Sequence, residues 1–251
     1  MKVSIITAVR NGARDIPVTL ASVAAQDYAD IEHIVVDGAS TDDTVEVVRR
    51  LGRHVARLVS EPDTGVYDAF NKGLRLASGD IVAYLNAGDS YVSAGIISLI
   101  ARMFAAGDAE AVYGDVEIVD AADPAKLVRR YRSGSFKPSR LAWGFMPAHP
   151  ALFIRRSVYE RCGAYDPSYR IAGDFELCVR LFAVEPIRHV HVPQVLVRMP
   201  RGGLSNNGWR SVWTITREMH RACKAHGVRT SYARLLTRLP LKMLELRWHG
   251  S

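Results

Sequence analysis

The sequence predicts an α/β protein built on a doubly wound, mostly parallel β-sheet. Two observations predict this class. Short apolar runs alternate with segments of helical periodicity over the first 110 residues, and turn-forming or polar residues separate them. Strands that alternate with helices pair in parallel through right-handed crossovers. The sequence contains no internal repeat, and no apolar run approaches the roughly 20 residues that span a bilayer.

Four strand–helix units account for the first half. The run Ile81–Leu85 follows the turn pair Gly79-Asp80 and has no alternating polar positions, which is typical of a strand buried on both faces. Pro17 falls in the first turn of the first helix, and Ser40 or Thr41 would cap the second. The predicted strands are Lys2–Ala8, Ile31–Asp37, Val55–Ser60 and Ile81–Leu85; the predicted helices are Ala13–Gln26, 40–50, 66–77 and Ala94–Phe104.

Strands predominate after Ala111, so we expect a β-rich subregion that closes over the first half. The predicted elements are a hairpin of Val112–Val119 and Leu127–Tyr131, an irregular segment Ser133–Pro147, a strand Ala151–Ile154, helices Ser157–Cys162 and Phe175–Phe182, and strands Ile187–Val192 and Val195–Arg198. Two helices would follow as a tail over residues 207–251, Trp209–His226 and Tyr232–Trp248, the second kinked at Pro240.

Charge is distributed unevenly along the chain. The net charge is +7, and the stretch from Arg201 to Ser251 alone carries +8, from ten Lys and Arg against two acidic residues. An apolar stripe with basic flanks fits a helix on an anionic membrane surface, or one packed on the domain or in a homodimer interface. Nucleic-acid binding is disfavoured because no reader motif is present. Three scattered cysteines and an N-terminus without a signal-peptide pattern predict a cytoplasmic protein, peripheral on the inner face of the membrane if the tail binds lipid.

Acidic and amide residues follow the predicted strands, at Asn11, Asp37 and Asp89. No glycine-rich dinucleotide turn follows the first strand, and no P-loop is present. Carboxylates repel phosphates, so such a site makes sense when Mg²⁺ or Mn²⁺ lies between them. Asp89 would hold this metal on a nucleotide diphosphate; alternatively, it caps the helix that begins near Ala94.

Six motifs together resemble the family-2 glycosyltransferases of the GT-A fold, in the family's order and spacing over residues 2 to 205. The motifs are Ser4–Asn11 (SIITAVRN), Ile34–Thr44 (IVVDGASTDDT), Glu61–Gly73 (EPDTGVYDAFNKG), Leu85–Asp89 (LNAGD), Ala148–Ala151 (AHPA) and Ile171–Leu177 (IAGDFEL). The resemblance implies a GT-A domain over residues 1–206, with a nucleotide-sugar half (1–110) and an acceptor half (111–206). It also implies an inverting hexosyltransferase of bacterial surface-polysaccharide synthesis, of the colanic-acid type.

The resemblance also implies roles for residues. Asp174 matches the base that deprotonates the acceptor hydroxyl. Without the resemblance, Asp174 also fits the N-cap of a helix, and both roles can hold at once. The donor-side set is Thr7, Asn11, Asp37, Asp68, Asn71, Lys72 and Asn86, with uridine favoured over guanosine as the base. Asp37 also fits a tight turn, and Asp68 with Lys72 a surface ion pair. On the acceptor side the resemblance implies a contact from His149, and Glu176 is a second candidate base that also fits a solvated or ion-paired residue. Independently of the resemblance, an exposed Trp143 would stack on a glycan or lipid-linked acceptor, whereas a buried one would belong to the core. Arg201, on a glycine-rich hinge, would reach the leaving diphosphate.

Two positions depart from the family pattern. Relatives usually carry Asp-x-Asp or Asp-Asp in the metal loop, where this chain has Asn86-Ala-Gly-Asp89, and many have a second Asp at Gly38. Two alternative functions therefore stay open. One is a polyprenyl-phosphate sugar synthase on the same fold, and the other is a non-catalytic nucleotide-sugar binding module.

Overall fold

A computed structural model describes residues 1–202 and 208–239. Within these residues, nine strands form a single sheet: β1 (Val3–Val9), β2 (Ile31–Asp37), β3 (Val55–Ser60), β4 (Ile81–Tyr84), β5 (Ser90–Tyr91), β6 (Ala111–Val119), β7 (Leu127–Tyr131), β8 (Leu152–Arg155) and β9 (His189–Pro200). The helices are α1 (Ile16–Ala24), α2 (Thr44–Leu51), α3 (Val66–Leu76), α4 (Ile96–Ala105), α5 (Arg156–Cys162), α6 (Gly173–Val179), α7 (Gly208–Ala225) and α8 (Tyr232–Leu236).

The predicted mostly parallel sheet is confirmed. Its strand order is β3-β2-β1-β4-β8-β6-β9-β5, with β7 paired to β6. The first four strands are parallel, β8 runs antiparallel between β4 and β6, and β9 is parallel to β6. β4 is buried at all four positions between β1 and β8, as its uninterrupted apolar run predicted. The carboxyl ends of β1, β2 and β4 consequently meet at one edge, where ligands bind in such sheets.

Three helix starts in the first half differ from the prediction, and one of them is the shift of α4 from Ala94 to Ile96. α1 begins at Ile16 because Gly12 O accepts the N–H groups of Asp15 and Ile16 in a turn. α2 begins at Thr44, and neither Ser40 nor Thr41 caps it. Ser40 instead bonds to Asp37, and Thr41 bonds to Asn11.

Three more differences involve the strands β5 and β9 and the helix α6. The two predicted late strands are one strand, β9, whose pairing with β6 shifts register across Val192–Gln194. This irregularity absorbs Pro193, which lacks an N–H for the ladder. β5 was not predicted, because a two-residue strand carries no periodicity. α6 begins two residues earlier than expected and continues as a π-helical turn over Arg180–Val184.

The tail helices pack on the body of the protein. Met219, Ala222 and Cys223 of α7 and Leu235 of α8 belong to the same buried cluster as Phe175 and Leu177 of α6. α8 spans Tyr232–Leu236. Pro240, and with it the rest of the helix predicted to Trp248, lies outside the described residues. Within 1–202 and 208–239, no helix is long and apolar enough to cross a membrane.

Candidate active site

A cavity of about 780 Å³ opens between the sheet, the segment 133–150, the start of α6 and the tail helices. Asn86, His149 and Asp174 contribute to its lining, so three predicted site residues from distant parts of the chain meet there. Apolar side chains supply much of the remaining wall, among them Phe136, Phe145, Met146, Ile215 and Met219. Its size suits an organic ligand.

Asp174 lies in the first turn of α6, half-buried in the cavity wall. The N-cap is Ala172, so the predicted capping role of Asp174 is wrong. Its Oδ1 accepts the Phe175 N–H at 2.8 Å and lies 3.4 Å from the Tyr67 hydroxyl oxygen. Burial raises the pKa of Asp174 to about 6. A carboxylate with this pKa is ionised at neutral pH yet basic enough to accept a proton.

Glu218 of α7 holds the segment that leads into Asp174. Its carboxylate accepts three successive backbone N–H groups, from Arg170, Ile171 and Ala172, at 2.8 to 2.9 Å. The Tyr67 hydroxyl donates to Ile171 O at 2.5 Å from the other side. The position of Asp174 therefore depends on a helix of the tail, which the sequence did not indicate.

His149 lies on an aromatic floor formed by Phe70, Tyr84 and Tyr165. Its Nε2 is 2.8 Å from the Tyr165 hydroxyl, and its ring stacks on those of Phe70 and Tyr84. Burial lowers the pKa of His149 to about 4, so the imidazole is neutral at physiological pH. A neutral imidazole can orient a hydroxyl without adding charge to the cavity.

The loop Asn86–Asp89 is held by Thr19 of α1. The Thr19 hydroxyl donates to Asn86 O and Asp89 O, and it accepts the Gly88 N–H at 3.0 Å. Gly88 has φ 95°, and a Cβ there would lie 3.3 Å from Pro200. The loop therefore requires glycine where relatives often carry a carboxylate, which accounts for this departure from the family pattern.

The loop offers one carboxylate and one amide oxygen to a divalent metal, from Asp89 and Asn86. Asp89 is buried, which raises its pKa to about 7, and Asn86 Oδ1 is buried without a hydrogen-bond partner in the described structure. Across residues 1–202 and 208–239, no cluster of three or more His, Cys, Asp or Glu could hold a metal alone. One carboxylate and one amide oxygen fit Mg²⁺ or Mn²⁺ that keeps waters and binds together with a diphosphate.

Three residues predicted on the donor side form hydrogen bonds within the protein. Asp37 is fully buried, and its carboxylate accepts from Ser40 N, the Ser40 hydroxyl and the Ser60 hydroxyl, so it holds a turn and exposes no oxygen to a base. Thr7 is likewise buried, 3.0 Å from His33 Nε2. Asn11 is exposed, and its Oδ1 accepts the Thr41 N–H at 2.8 Å.

The structure explains why position 38 is a glycine: the Asp63 side chain lies against it. A Cβ at Gly38 would lie 2.3 Å from the Asp63 carboxylate and 3.4 Å from Arg10 Cδ. Many relatives carry a second Asp at this position. In this chain, Asp63 occupies the volume that the side chain of such an Asp would need. Neither Asp63 nor Arg10 was predicted at this edge of the sheet.

Asp68, Asn71 and Lys72 share a face of α3, as predicted, but they fasten loops. Asn71 donates to Tyr165 O at 2.8 Å and accepts the Tyr165 N–H at 3.0 Å, which joins the two halves of the domain. Lys72 donates to Pro62 O at 2.6 Å and pairs with Glu61 and, at 3.7 Å, with Asp68. None of the three lines the cavity.

The remaining predicted residues lie outside the cavity lining. Glu176 is buried in a bidentate pair with Arg180 and also contacts His226 at 2.8 Å. Trp143 is 42% exposed, with Arg234 over its ring. Arg201 donates its N–H to Val119 O, beside the turn that follows β6.

Sequence reasoning missed the cationic part of the wall. Arg130, Arg132, Arg140 and Arg238 all line the cavity. Asp115 neutralises Arg130 through two contacts at 3.0 and 3.2 Å. The run Arg129-Arg130-Tyr131-Arg132 was a visible signal for the first two, whereas Arg238 reaches the wall only through the packing of the tail.

The fold is that of GT-A glycosyltransferases. S. aureus TarS, solved with UDP-GlcNAc, superposes with a TM-score of 0.72 at 17% identity, over 100% of this chain and 75% of that one. The mannosyltransferase PcManGT from Pyrobaculum calidifontis, solved with GDP-Man and Mn²⁺, gives 0.61 at 21% identity, over 97% of this chain and 80% of that one.

Sequence comparison defines the family. The profile of Glycosyl transferase family 2 matches residues 4–163, and the chain belongs to this family. A PGL/p-HBAD biosynthesis glycosyltransferase of Mycobacterium tuberculosis is 33% identical over 209 residues, 81% of this chain and 78% of that protein. An uncharacterized glycosyltransferase of Nostoc sp. is 30% identical over 187 residues, 69% of this chain and 57% of that protein. The protein is a glycosyltransferase, as its motifs predicted.

Proposed function

We propose that the protein transfers a sugar from a nucleotide diphosphate donor to a hydroxyl of a glycan or lipid-linked acceptor, with inversion, in the assembly of a surface glycan. The observation that carries the proposal is Asp174, a carboxylate with a raised pKa in the wall of a cavity large enough for an acceptor. Donor-bound neighbours of the same fold and a relative named for PGL/p-HBAD biosynthesis support it.

In the proposed reaction, the acceptor hydroxyl oxygen attacks the anomeric carbon as the bond from that carbon to the diphosphate breaks. Asp174 takes the hydroxyl proton, and attack opposite the leaving group inverts the anomeric centre. His149 orients the hydroxyl as a neutral partner. Asp89 and Asn86 would hold a divalent cation, which supplies Lewis-acid neutralisation of the diphosphate when it is bound.

The deciding variant is Asp174→Asn, which keeps the shape of the side chain and removes the base. We expect transfer to fall by about 10²-fold or more while donor binding, measured by calorimetry, is retained. Asp108→Asn, exposed and outside the cavity, is the matched control. Transfer to a lipid phosphate at the wild-type rate by Asp174→Asn would indicate a polyprenyl-phosphate sugar synthase instead.

The pH profile gives a second test. Because the pKa of Asp174 is raised to about 6, the basic form is lost below that pH. Transfer by the wild type should therefore rise at least about tenfold between pH 5 and pH 7, and the rise should be about tenfold smaller in the residual activity of Asp174→Asn, which keeps only the titration of Asp89. A flat wild-type profile over this range would argue against Asp174 as the base.

We further propose that the tail binds an anionic membrane surface. Trp209, Trp213 and Tyr232 are 85%, 52% and 40% exposed on α7 and α8, in the strongly basic part of the chain. Exposed aromatics beside basic residues suit the interface of a bilayer. Flotation with anionic vesicles at low salt should recover the wild type and lose the Trp209→Ser, Trp213→Ser double variant; equal recovery of both would contradict the proposal.

A further inference from the structure

Arg238 is a buried guanidinium in the wall of the cavity. It is 3% exposed, and its hydrogen bonds go to neutral oxygens, Leu235 O at 2.8 Å and Thr216 Oγ1 at 3.0 Å. No carboxylate of residues 1–202 or 208–239 lies within ion-pair distance of it. Arginine stays charged in proteins, and a buried charge without a counter-charge is unfavourable. An anion in the cavity would supply that counter-charge.

The surrounding charges favour an anion at the same place. Arg140 also lines the cavity, held by Ser135 at 2.6 Å and stacked over Phe145 at 4.5 Å. Arg132 is exposed at the rim. The single acidic side chain among the described lining residues is Asp174, whereas Arg132, Arg140 and Arg238 lack a carboxylate partner within the described chain. The cavity therefore carries a net positive charge.

The rest of the wall near Arg238 is apolar. A Cβ added at Gly144 would lie 3.3 to 3.4 Å from side-chain atoms of Arg238, Leu235 and Met219, so these three side chains surround the same small space. Phe136, Phe145 and Ile215 extend this surface within the cavity. A simple hydrophilic oligosaccharide would leave these side chains without an apolar partner.

We propose that the acceptor is an amphiphile whose apolar body fills this cavity and whose anionic group, a phosphate or a carboxylate, binds Arg238 and Arg140, with the reacting hydroxyl toward Asp174. The proposal rests on the proposed function and specifies the chemical class of its acceptor. The two sources of the anion are a lipid-carrier phosphate and an acidic aglycone. Both require the same guanidinium contact, which is charge-assisted and well suited to either group.

The test is binding of four probes to the full chain by titration calorimetry: octyl phosphate, octanoate, octyl glucoside and inorganic phosphate. We expect at least one of the two anionic amphiphiles to bind at least tenfold more tightly than both octyl glucoside and inorganic phosphate. Tighter binding of octyl phosphate identifies a carrier phosphate, and tighter binding of octanoate an acidic aglycone. Failure of both anionic amphiphiles to exceed octyl glucoside by this margin would overturn the proposal.

Two variants assign the preference to Arg238. Arg238→Met should lose the preference for anionic amphiphiles by at least tenfold, whereas Arg188→Met, an exposed arginine outside the cavity, should retain it. Arg238→Met also loses the hydrogen bonds to Leu235 O and Thr216 Oγ1, so binding is measured well below its own unfolding temperature. Retention of the anionic preference by folded Arg238→Met would overturn the proposal.

A separate measurement distinguishes the two proposals. Binding of UDP-sugars and GDP-sugars to the same preparations tests the proposed function without any acceptor. Donor binding with no preference for the anionic amphiphiles contradicts the acceptor class alone. If the wild type binds neither UDP-sugars nor GDP-sugars, the glycosyl-transfer proposal is contradicted as well.

Discussion

The proposed donor half (residues 1–110) and the rest of the chain use their polar side chains in different ways. In the donor half, Asp37 and Asn11 at the strand ends and Lys72 on α3 bond within the protein itself. In the rest of the chain, Arg140 and Asp174 line the cavity together with Arg238 of the tail. Most motif residues of the donor half therefore fix the backbone, whereas the cavity lining combines a motif residue, Asp174, with arginines that no motif indicated.

The largest expected effect on stability comes from substituting Asn71, whose hydrogen bonds join the two halves. Asn71→Leu removes both hydrogen bonds to the Tyr165 backbone and leaves that N–H and carbonyl unpaired. We expect the free energy of unfolding to fall by about 3 kcal/mol in urea titrations. Arg75→Leu, exposed on the same helix, should change it by less than about 0.5 kcal/mol. Equal effects of the two substitutions would refute Asn71 as the joint between the halves.

Thr19→Val tests whether the donor-half loop is shaped by internal hydrogen bonds. The substitution keeps the side-chain shape and removes three bonds to the Asn86–Asp89 loop. We expect a loss of about 2 kcal/mol in unfolding free energy and weaker Mn²⁺ binding with UDP present, measured by paramagnetic resonance. Thr214→Val, on the exposed face of α7, is the control. Unchanged Mn²⁺ affinity would show that metal binding does not depend on the hydrogen bonds between Thr19 and this loop.

Glu218→Gln tests the dependence of the acceptor half on the tail. The amide keeps one acceptor oxygen for three N–H donors, so the segment before Asp174 should loosen. We expect the unfolding free energy to fall by about 1–2 kcal/mol and kcat by about tenfold, with donor affinity unchanged. Since the Glu218 charge helps to raise the pKa of Asp174, the rise of activity with pH should also shift to lower pH. Glu185→Gln, exposed on the surface, should show none of these changes.

The smallest expected effect is a gain in stability. Ala39 has φ 53°, a left-handed conformation that costs a residue with a Cβ about 1–2 kcal/mol. Ala39→Gly should stabilise the protein by about 1 kcal/mol in thermal unfolding. Ala77→Gly, where φ is −68°, should destabilise it by about 0.5–1 kcal/mol. The same sign for both substitutions would mean that the turn at Ala39 relaxes in solution.

The elements of the donor half could be predicted closely because each strand and helix has its own local period. Ile31–Asp37 and Val55–Ser60 match the predicted bounds. β5 and the single bulged β9 could not be predicted, because pairing partners distant in sequence determine them. Of the predicted site residues, Asn86, His149 and Asp174 meet in the cavity. Asp37 and Asn71 could not be placed from the sequence, since their roles depend on Ser60 and Tyr165.

Because α7 and α8 complete the cavity, the cavity should form late during synthesis of the chain. Protein chains emerge from the ribosome from their N-terminus and begin to fold as they emerge. The strand ends of the donor half come from the first 90 residues, whereas Met219, Glu218 and Arg238 follow more than 120 residues later. The nascent enzyme should therefore acquire its donor-side scaffold first, and its acceptor cavity only after the tail helices have been synthesised and docked.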